Sequence, residues 1–569
     1  MQIERGKAVA PGFGDGRAHV YRPGSPRLVT CGIAPSAVAA EQARFSAALA
    51  RATERLERLE HAARTELGPD NGDIFAAHLA LLRDSQFIER INGRIATQLE
   101  SAEQAIDATV GELAQALGQA DDENFRERAQ DIRDLGRWVQ RQLGVGLGGV
   151  PSTLPPNTIL VAQELLPSDL LQLDRAHVAG IVTEAGGEVG HVAILARAIG
   201  VPYVTGLHDA TERIRDGMRL LLDGQTGEVW LEPDAPSIDA FAERKRRYDE
   251  QGAKASAQES WACSTRDGVR IFLLANIGRA KDAQEVARHN LDGVGLFRTE
   301  YMFLDEAQPP SLERQRQVYE EAASLAAGLP VVIRTLDLGG DKRPAFLAPQ
   351  FEANPNLGLR GLRFSLTVAR DLFRTQLRAI VQAARHGNVR VLFPMVLGRH
   401  DLRQAIALLD ELCSDEGCKA PPVGAMIETP AAVLTIGEIL DLVEFVSIGT
   451  NDLTQFVLAA DRNAVELLED YSALHPAVLR AVGYVADAAN SKGKSVSVCG
   501  EAAADPATAG LFVGLGVRTL SMSPASTARV RYLLGKSDCT ALKQLAQSAL
   551  ALDDPKAIEA LLQQAGTEI

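Results

Sequence analysis

Phe445-Val-Ser-Ile-Gly-Thr-Asn451-Asp452-Leu-Thr-Gln455 reads as a short strand that stops at a glycine and passes straight into polar residues. Residues 445–449 are apolar or small, as in a parallel strand covered on both faces. The chain around this stretch repeats the same pattern, a strand and then a helix. The strands expected are Arg270–Asn276, Gly293–Glu300, Pro330–Leu336, Val389–Val396, Pro422–Glu428, Phe445–Gly449, Ser495–Cys499 and Thr519–Met522. Eight such runs with helix-prone segments between them predict a (β/α)₈ barrel. Chemistry in that fold sits at the C-terminal ends of the strands, and polar residues collect there. They include Asn276, Arg298 with Glu300, Arg334 with Asp337 and Lys342, Glu428, Asn451 with Asp452, and Cys499 with Glu501. Any one of them reads equally well as a surface ion pair or a helix cap. A charge at the end of so many strands argues for a site.

Upstream, a second pattern surrounds one histidine. Gly186-Gly187-Glu188-Val189-Gly190-His191-Val192-Ala193-Ile194-Leu195-Ala196-Arg197 follows a buried run at Ala179–Val182. The order is strand, glycine turn, histidine, helix. Glycines let the backbone approach a ligand closely. A helix start offers free N–H groups and favours an anion such as phosphate. It also disfavours imidazolium, which leaves a neutral, nucleophilic ring. Phosphoryl transfer to His191 is the chemical reading. A histidine simply packed at a helix start is the other.

The remaining chain sorts around these two centres. Residues 1–32 and 144–232 carry short strands and form one small α/β domain holding His191. Residues 33–143 carry helical periodicity instead: Phe45, Leu49, Ala52, Leu56 and Leu59 mark one stripe. Ile74, His78, Leu81, Leu82, Ile88, Ile91, Ile95 and Leu99 mark a second, and 105–117 and 125–143 two more. This is a helical insert with no catalytic pattern; its His61 and His78 read as ordinary surface or interhelix residues, and a docking surface or lid is its expected use. Residues 233–260 are charged and helix-prone, a helical linker anchored by Phe241 and Tyr248. The barrel occupies 261–569.

Bulk properties exclude several classes. A chain of 569 residues needs more than one core. A net charge of −15 argues against nucleic acid or an anionic membrane as the main partner. No window is apolar enough to span a bilayer, and the N-terminus lacks a signal core. Six scattered cysteines form neither a disulfide framework nor a zinc pattern, so a cytoplasmic protein is expected.

The barrel residues point to a small polyanion. Arg298, Arg334 and Arg360, with Arg462 beyond the sixth strand, offer planar forks for phosphate and carboxylate. Glu428 and Asp452 at neighbouring strand ends suit Mg²⁺, which needs few protein oxygens when a substrate phosphate supplies others. Cys499 is either a buried small hydrophobe or a proton donor or acceptor beside the anion.

Six motifs in this order carry a family resemblance: Gly186-Gly187…His191…Ala193–Arg197, Gly295-Leu-Phe-Arg298-Thr-Glu300, Arg334-Thr-Leu-Asp-Leu-Gly-Gly-Asp-Lys342, Met426-Ile-Glu428-Thr-Pro430, Ser447–Gln455, and Cys499-Gly-Glu501. Along its whole length the chain resembles enzyme I of the bacterial phosphotransferase system, the phosphoenolpyruvate–protein phosphotransferase. The resemblance implies that His191 is the phosphorylated nucleophile and that phosphoenolpyruvate binds in the barrel. Mg²⁺ would sit on Glu428 and Asp452, with Arg298, Arg334, Arg462 and Asn451 holding phosphate and carboxylate. Cys499 would protonate the enolate carbon and release pyruvate. The phosphoryl group would pass to a histidine of the carrier HPr docked on the helical insert, the first step of sugar uptake. The barrel would form a homodimer, and the linker would move the histidine domain between donor and acceptor. Two positions depart from the family pattern: Val189-Gly190 stands where Thr-Ser usually precedes the histidine, and Leu170 where a threonine often orients it. The rival readings are a pyruvate phosphate dikinase or phosphoenolpyruvate synthase, for which the chain lacks an ATP-binding domain, and a non-catalytic phosphoenolpyruvate sensor that docks HPr.

Overall fold

A computed structural model of the chain describes residues 2–568 except 23–31, 67–78, 80, 119–122, 144–153, 166–168, 171–172, 175–176, 187–190, 258–261, 305–307, 339–343, 345, 348–353 and 461–470. The chain divides into two compact units, Met1–Asp249 and Glu250–Ile569.

The first unit is built on an eight-stranded sheet. Its strands are β1 (Gln2–Arg5), β2 (Lys7–Ala10), β3 (Phe13–Tyr21), β4 (Thr158–Ala162), β5 (Val178–Thr183), β6 (Tyr203–Thr205), β7 (Arg219–Asp223) and β8 (Glu228–Leu231). They lie in the order β1-β8-β7-β3-β4-β5-β6-β2. The inner strands β3 to β6 run parallel, and the flanking pairs are antiparallel. The N-terminal strands therefore share a sheet with those after the insert. The sequence Thr158-Ile-Leu-Val-Ala162 is apolar after its first residue because β4 is central and every one of its residues is buried.

Between β3 and β4 come helices at Val38–Glu66, Ser85–Thr97, Ala102–Gly118 and Glu123–Gln142. Phe45, Ala52, Leu56, Ile91, Ile95, Ile106 and Val139 are buried in one core. Trp138 caps it and donates its indole N–H to the Ala52 carbonyl at 3.1 Å. The stripe at 74–99 does not make one helix. Asp84 accepts from the Gln86 N–H at 2.7 Å and starts a new helix at Ser85. Leu99, the last residue of that stripe, is left-handed with φ 54° and lies beyond the helix. Part of the stripe, including Ile74 and His78, falls outside the described residues. Arg141 joins insert to sheet: it pairs with Asp169 at 2.9 Å and donates to the Tyr21 hydroxyl at 3.0 Å.

A helix then spans Ala235–Ala257, and the division between the units falls inside it. Its first half packs on the sheet through Phe241, which meets the rings of Phe13 and Trp230 edge-on at 5.3 and 5.5 Å.

The second unit is a closed barrel of eight parallel strands. They are β9 (Phe272–Ile277), β10 (Val294–Arg298), β11 (Val331–Arg334), β12 (Val389–Phe393), β13 (Val423–Ile427), β14 (Phe445–Ile448), β15 (Ser495–Val498) and β16 (Thr519–Met522). Each pairs with the next in sequence, and β16 closes on β9. Most strands stop a residue or more before the expected end. Leu296, Val332, Leu392, Met426, Phe445 and Cys499 fill the interior, so the barrel is packed rather than hollow.

Candidate active site

The charged strand ends converge into one buried network. Arg334 ends β11 and donates Nη2 to Glu300 Oε1 at 2.9 Å; its Nη1 lies 3.6 Å from Asp337 Oδ2. Arg360 precedes the helix Gly361–Thr367 and is 2% exposed. Its Nε and Nη2 grip the two Asp337 oxygens, both at 3.0 Å, and Nη1 and Nη2 grip those of Asp452 at 2.8 and 2.9 Å. Asp452 is on the helix Thr450–Leu458 that follows β14, the stretch Phe445–Gln455.

Glu428 follows β13 and is buried. One oxygen accepts from the Met395 N–H at 2.6 Å. The other lies where Gly449 has no side chain: a Cβ there would sit 2.7 Å from Oε2. Burial first, then the charges of Asp452 and Asp337, push the Glu428 carboxyl up to about 8, against the pull of Arg334 and Arg360. A group so disposed holds a proton until a cation replaces it. Among the described residues no three His, Cys, Asp or Glu side chains gather to hold a metal. Glu428 and Asp452 make a pair, which fits an ion that takes its other oxygens from substrate and water.

Cys499 follows β15 and is buried. Its thiol lies 3.5 Å from the Ile448 carbonyl oxygen, to which it donates. Burial pushes it above the usual thiol range, opposed by a hydrogen bond with Ser447 and by the charges of Arg334 and Arg298. It is therefore a protonated thiol at neutral pH, within the electrostatic reach of two guanidinium groups. Asn276 holds the turn beyond it, donating to the carbonyls of Cys499 at 3.1 Å and Ser521 at 3.3 Å.

Arg298 ends β10 in register with Arg334. Asn451 Oδ1 accepts from the Glu501 N–H at 3.3 Å, which links the mouth ends of β14 and β15. Among the described residues, buried Arg334 Nε and Thr450 Oγ1 have no hydrogen-bond partner. Arg462 and Lys342 lie outside the described residues. Three features escaped sequence reasoning: the Asp337 carboxylate that occupies Arg360, the Met395 amide on Glu428, and Gln376 behind the arginines. Only Gln376 left a signal, as a polar residue on the apolar stripe of an amphipathic helix.

In the first unit His191 is the first residue of the helix His191–Ile199, as its sequence predicts. Gly186 opens the turn with φ 145°. A Cβ on it would lie 2.9 Å from the Tyr203 hydroxyl and 3.1 Å from Thr205 Oγ1. Those hydroxyls form a buried chain through Thr183, 2.8 Å on each side. Arg197 donates Nε to the Val9 carbonyl at 2.7 Å and fixes the helix to β2. Leu170 is in the core, and Val189-Gly190 lie outside the described residues.

A barrel with an arginine and carboxylate mouth, and a histidine opening a helix in a separate α/β unit, define a phosphoenolpyruvate-utilising enzyme. Three family models of that class match: the PEP-utilising N-terminal domain over residues 5–128, the mobile domain over 154–227 and the PEP-binding domain over 252–539. The chain belongs to the phosphoenolpyruvate–protein phosphotransferases. It is 36% identical to the phosphoenolpyruvate-protein phosphotransferase of Bacillus sp. (strain S), covering 95% of this chain and 93% of that one. The Geobacillus stearothermophilus protein is 36% identical over 96% of this chain and 95% of its own. That of Bacillus subtilis (strain 168) is 34% identical over 98% and 99%. Among the described residues no helix is long and apolar enough to cross a membrane.

Proposed function

We propose that phosphoenolpyruvate binds at the barrel mouth and phosphorylates His191. Arg298, Arg334 and Arg462 bind the substrate's phosphate and carboxylate, and Asn451 adds a donor. Arg360 contributes chiefly by setting the charge and position of Asp452, because its fork is already engaged by two carboxylates. Transfer breaks the phosphorus–oxygen bond of the substrate and forms a phosphorus–nitrogen bond on the imidazole. The Cys499 thiol gives its proton to the enolate carbon, pyruvate leaves as the keto acid, and the thiolate regains a proton from solvent. Mg²⁺ on Glu428 and Asp452, when bound, would neutralise charge on the phosphate as it transfers. The chain's own contribution is positioning and charge neutralisation, which dominate phosphoryl transfer.

The observation that carries this reading is the burial of Arg334, Glu428, Asp452 and Cys499 together at one end of the barrel. The second half-reaction passes the phosphoryl group to a histidine of HPr docked on the helical insert, in the cytoplasm. The barrel pairs as a homodimer; Leu434 and Tyr484, 78% and 54% exposed, are apolar side chains that a second copy would cover. The test is a chase. Protein labelled from phosphoenolpyruvate and freed of substrate is mixed with candidate HPr proteins. Label should move to one of them and be lost from this chain. Stable label with every carrier contradicts the relay, and absence of any label favours a non-catalytic sensor.

A further inference from the structure

Gln376 lies on the helix Arg370–Ala383, whose buried residues are otherwise Phe373, Leu377, Ala379, Ile380, Val381 and Ala383. A primary amide on that apolar face is costly unless every hydrogen bond is made. Here all are. Oε1 accepts from the Leu336 N–H at 2.9 Å. Nε2 donates to Thr299 Oγ1 at 3.0 Å and to the Tyr319 hydroxyl at 3.2 Å. The Thr299 hydroxyl in turn donates to the Arg334 carbonyl at 2.9 Å.

The connected backbone is informative. Thr299 stands between Arg298 and Glu300 at the end of β10. The Arg334 carbonyl and the Leu336 N–H flank Thr335 at the end of β11. One side chain thus ties two neighbouring strand ends just where both leave the ladder, and each end carries an arginine. On the other side of the same junction, Glu300 Oε1 accepts from Arg334 Nη2 and from the Asp337 N–H, at 2.9 and 3.1 Å. Glu300 is an acidic residue and holds the guanidinium directly. Gln376 is neutral and holds only backbone and hydroxyl groups, so it sets position without changing the charge of the mouth.

We propose that Gln376 is a positioning residue for phosphoenolpyruvate, fixing the spacing of Arg298 and Arg334 through Thr299, Arg334 and Leu336. A bidentate arginine site tolerates little error, since a displacement of about 1 Å costs on the order of a hundredfold. This inference rests on the reading that Arg298 and Arg334 bind the substrate.

The test follows exchange of label between pyruvate and phosphoenolpyruvate, with Mg²⁺ and the full-length protein alone. Gln376→Met keeps the volume and removes all three hydrogen bonds. Its KM for phosphoenolpyruvate should rise on the order of tenfold or more, measured well below its unfolding midpoint, with a smaller change in kcat. Thr299→Val, which removes the hydroxyl that both accepts from Gln376 and donates to the Arg334 carbonyl, should move KM the same way and serves if Gln376→Met does not fold. Leu377→Ala, a cavity on the same helix, should lower the midpoint and leave KM unchanged. An unchanged KM in both Gln376→Met and Thr299→Val, or the same rise in Leu377→Ala, overturns the proposal. Arg298→Ala separates the two readings: if it leaves KM unchanged, the substrate site itself is misassigned. If it raises KM while Gln376→Met does not, only the positioning role fails.

Discussion

Glu428 shows how much of this site is electrostatic. Its folded-state proton affinity is raised, to about 8, over the ordinary carboxylate range. Such a group stabilises the fold fully below its unfolded pKa and loses that contribution as pH rises through the folded one. In chelator-treated protein the wild-type unfolding midpoint should therefore fall relative to Glu428→Gln as pH rises from the ordinary glutamate value of 4.5 to about 8, as followed by calorimetry. Equal pH dependence of the two proteins would contradict the burial argument. Cys499→Ala should slow pyruvate–phosphoenolpyruvate exchange by on the order of 10²–10⁴-fold, as expected for loss of a general acid, while substrate binding, read by calorimetric titration, changes little. The residue types of this site were legible in the sequence because they stand at strand ends. Their pairings were not. Asp337, Arg360 and Asp452 are far apart in the chain, and only closure of the barrel makes one guanidinium serve two carboxylates. Arg360→Ala leaves both carboxylates buried without that partner and should cost about 3–5 kcal/mol in denaturant unfolding.

Strands and helices were read more easily than their ends. The eight barrel strands follow from apolar runs, many of them followed by polar residues, and the structure ends most of them a residue or more early. The stripe at 74–99 misled because periodicity does not register a cap. Asp84 offers the backbone an alternative partner and begins a new helix. Close packing inside the barrel also depends on small residues that periodicity ignores. A Cβ on Gly424 of β13 would lie 2.3 Å from the Phe445 ring of β14. Gly424→Ala should lower stability by about 1–3 kcal/mol, and Phe445→Leu in the same chain should restore part of it. Additive losses in a double-mutant cycle would show that the two residues do not compete for that space.

The chain holds two bodies that can each be reasoned about separately. Aromatic contacts of Phe13, Trp230, Phe241 and Tyr248 fasten the start of the long helix to the first unit. Arg244 adds an ion pair with Asp223 and lies over the Trp230 ring at 5.5 Å. The mixed strand order of that unit was not legible, since pairing between β1 and β8 or β2 and β6 has no local signal. The repetition of the barrel was. The histidine of one unit is proposed to receive the phosphoryl group held by the other. The direct measurement is mass spectrometry of the intact protein after incubation with phosphoenolpyruvate and Mg²⁺, without ATP, followed by peptide mapping. One acid-labile phosphoryl group on His191 is expected, absent from His191→Ala. Phosphate on another residue, or full phosphorylation of His191→Ala, would contradict the account.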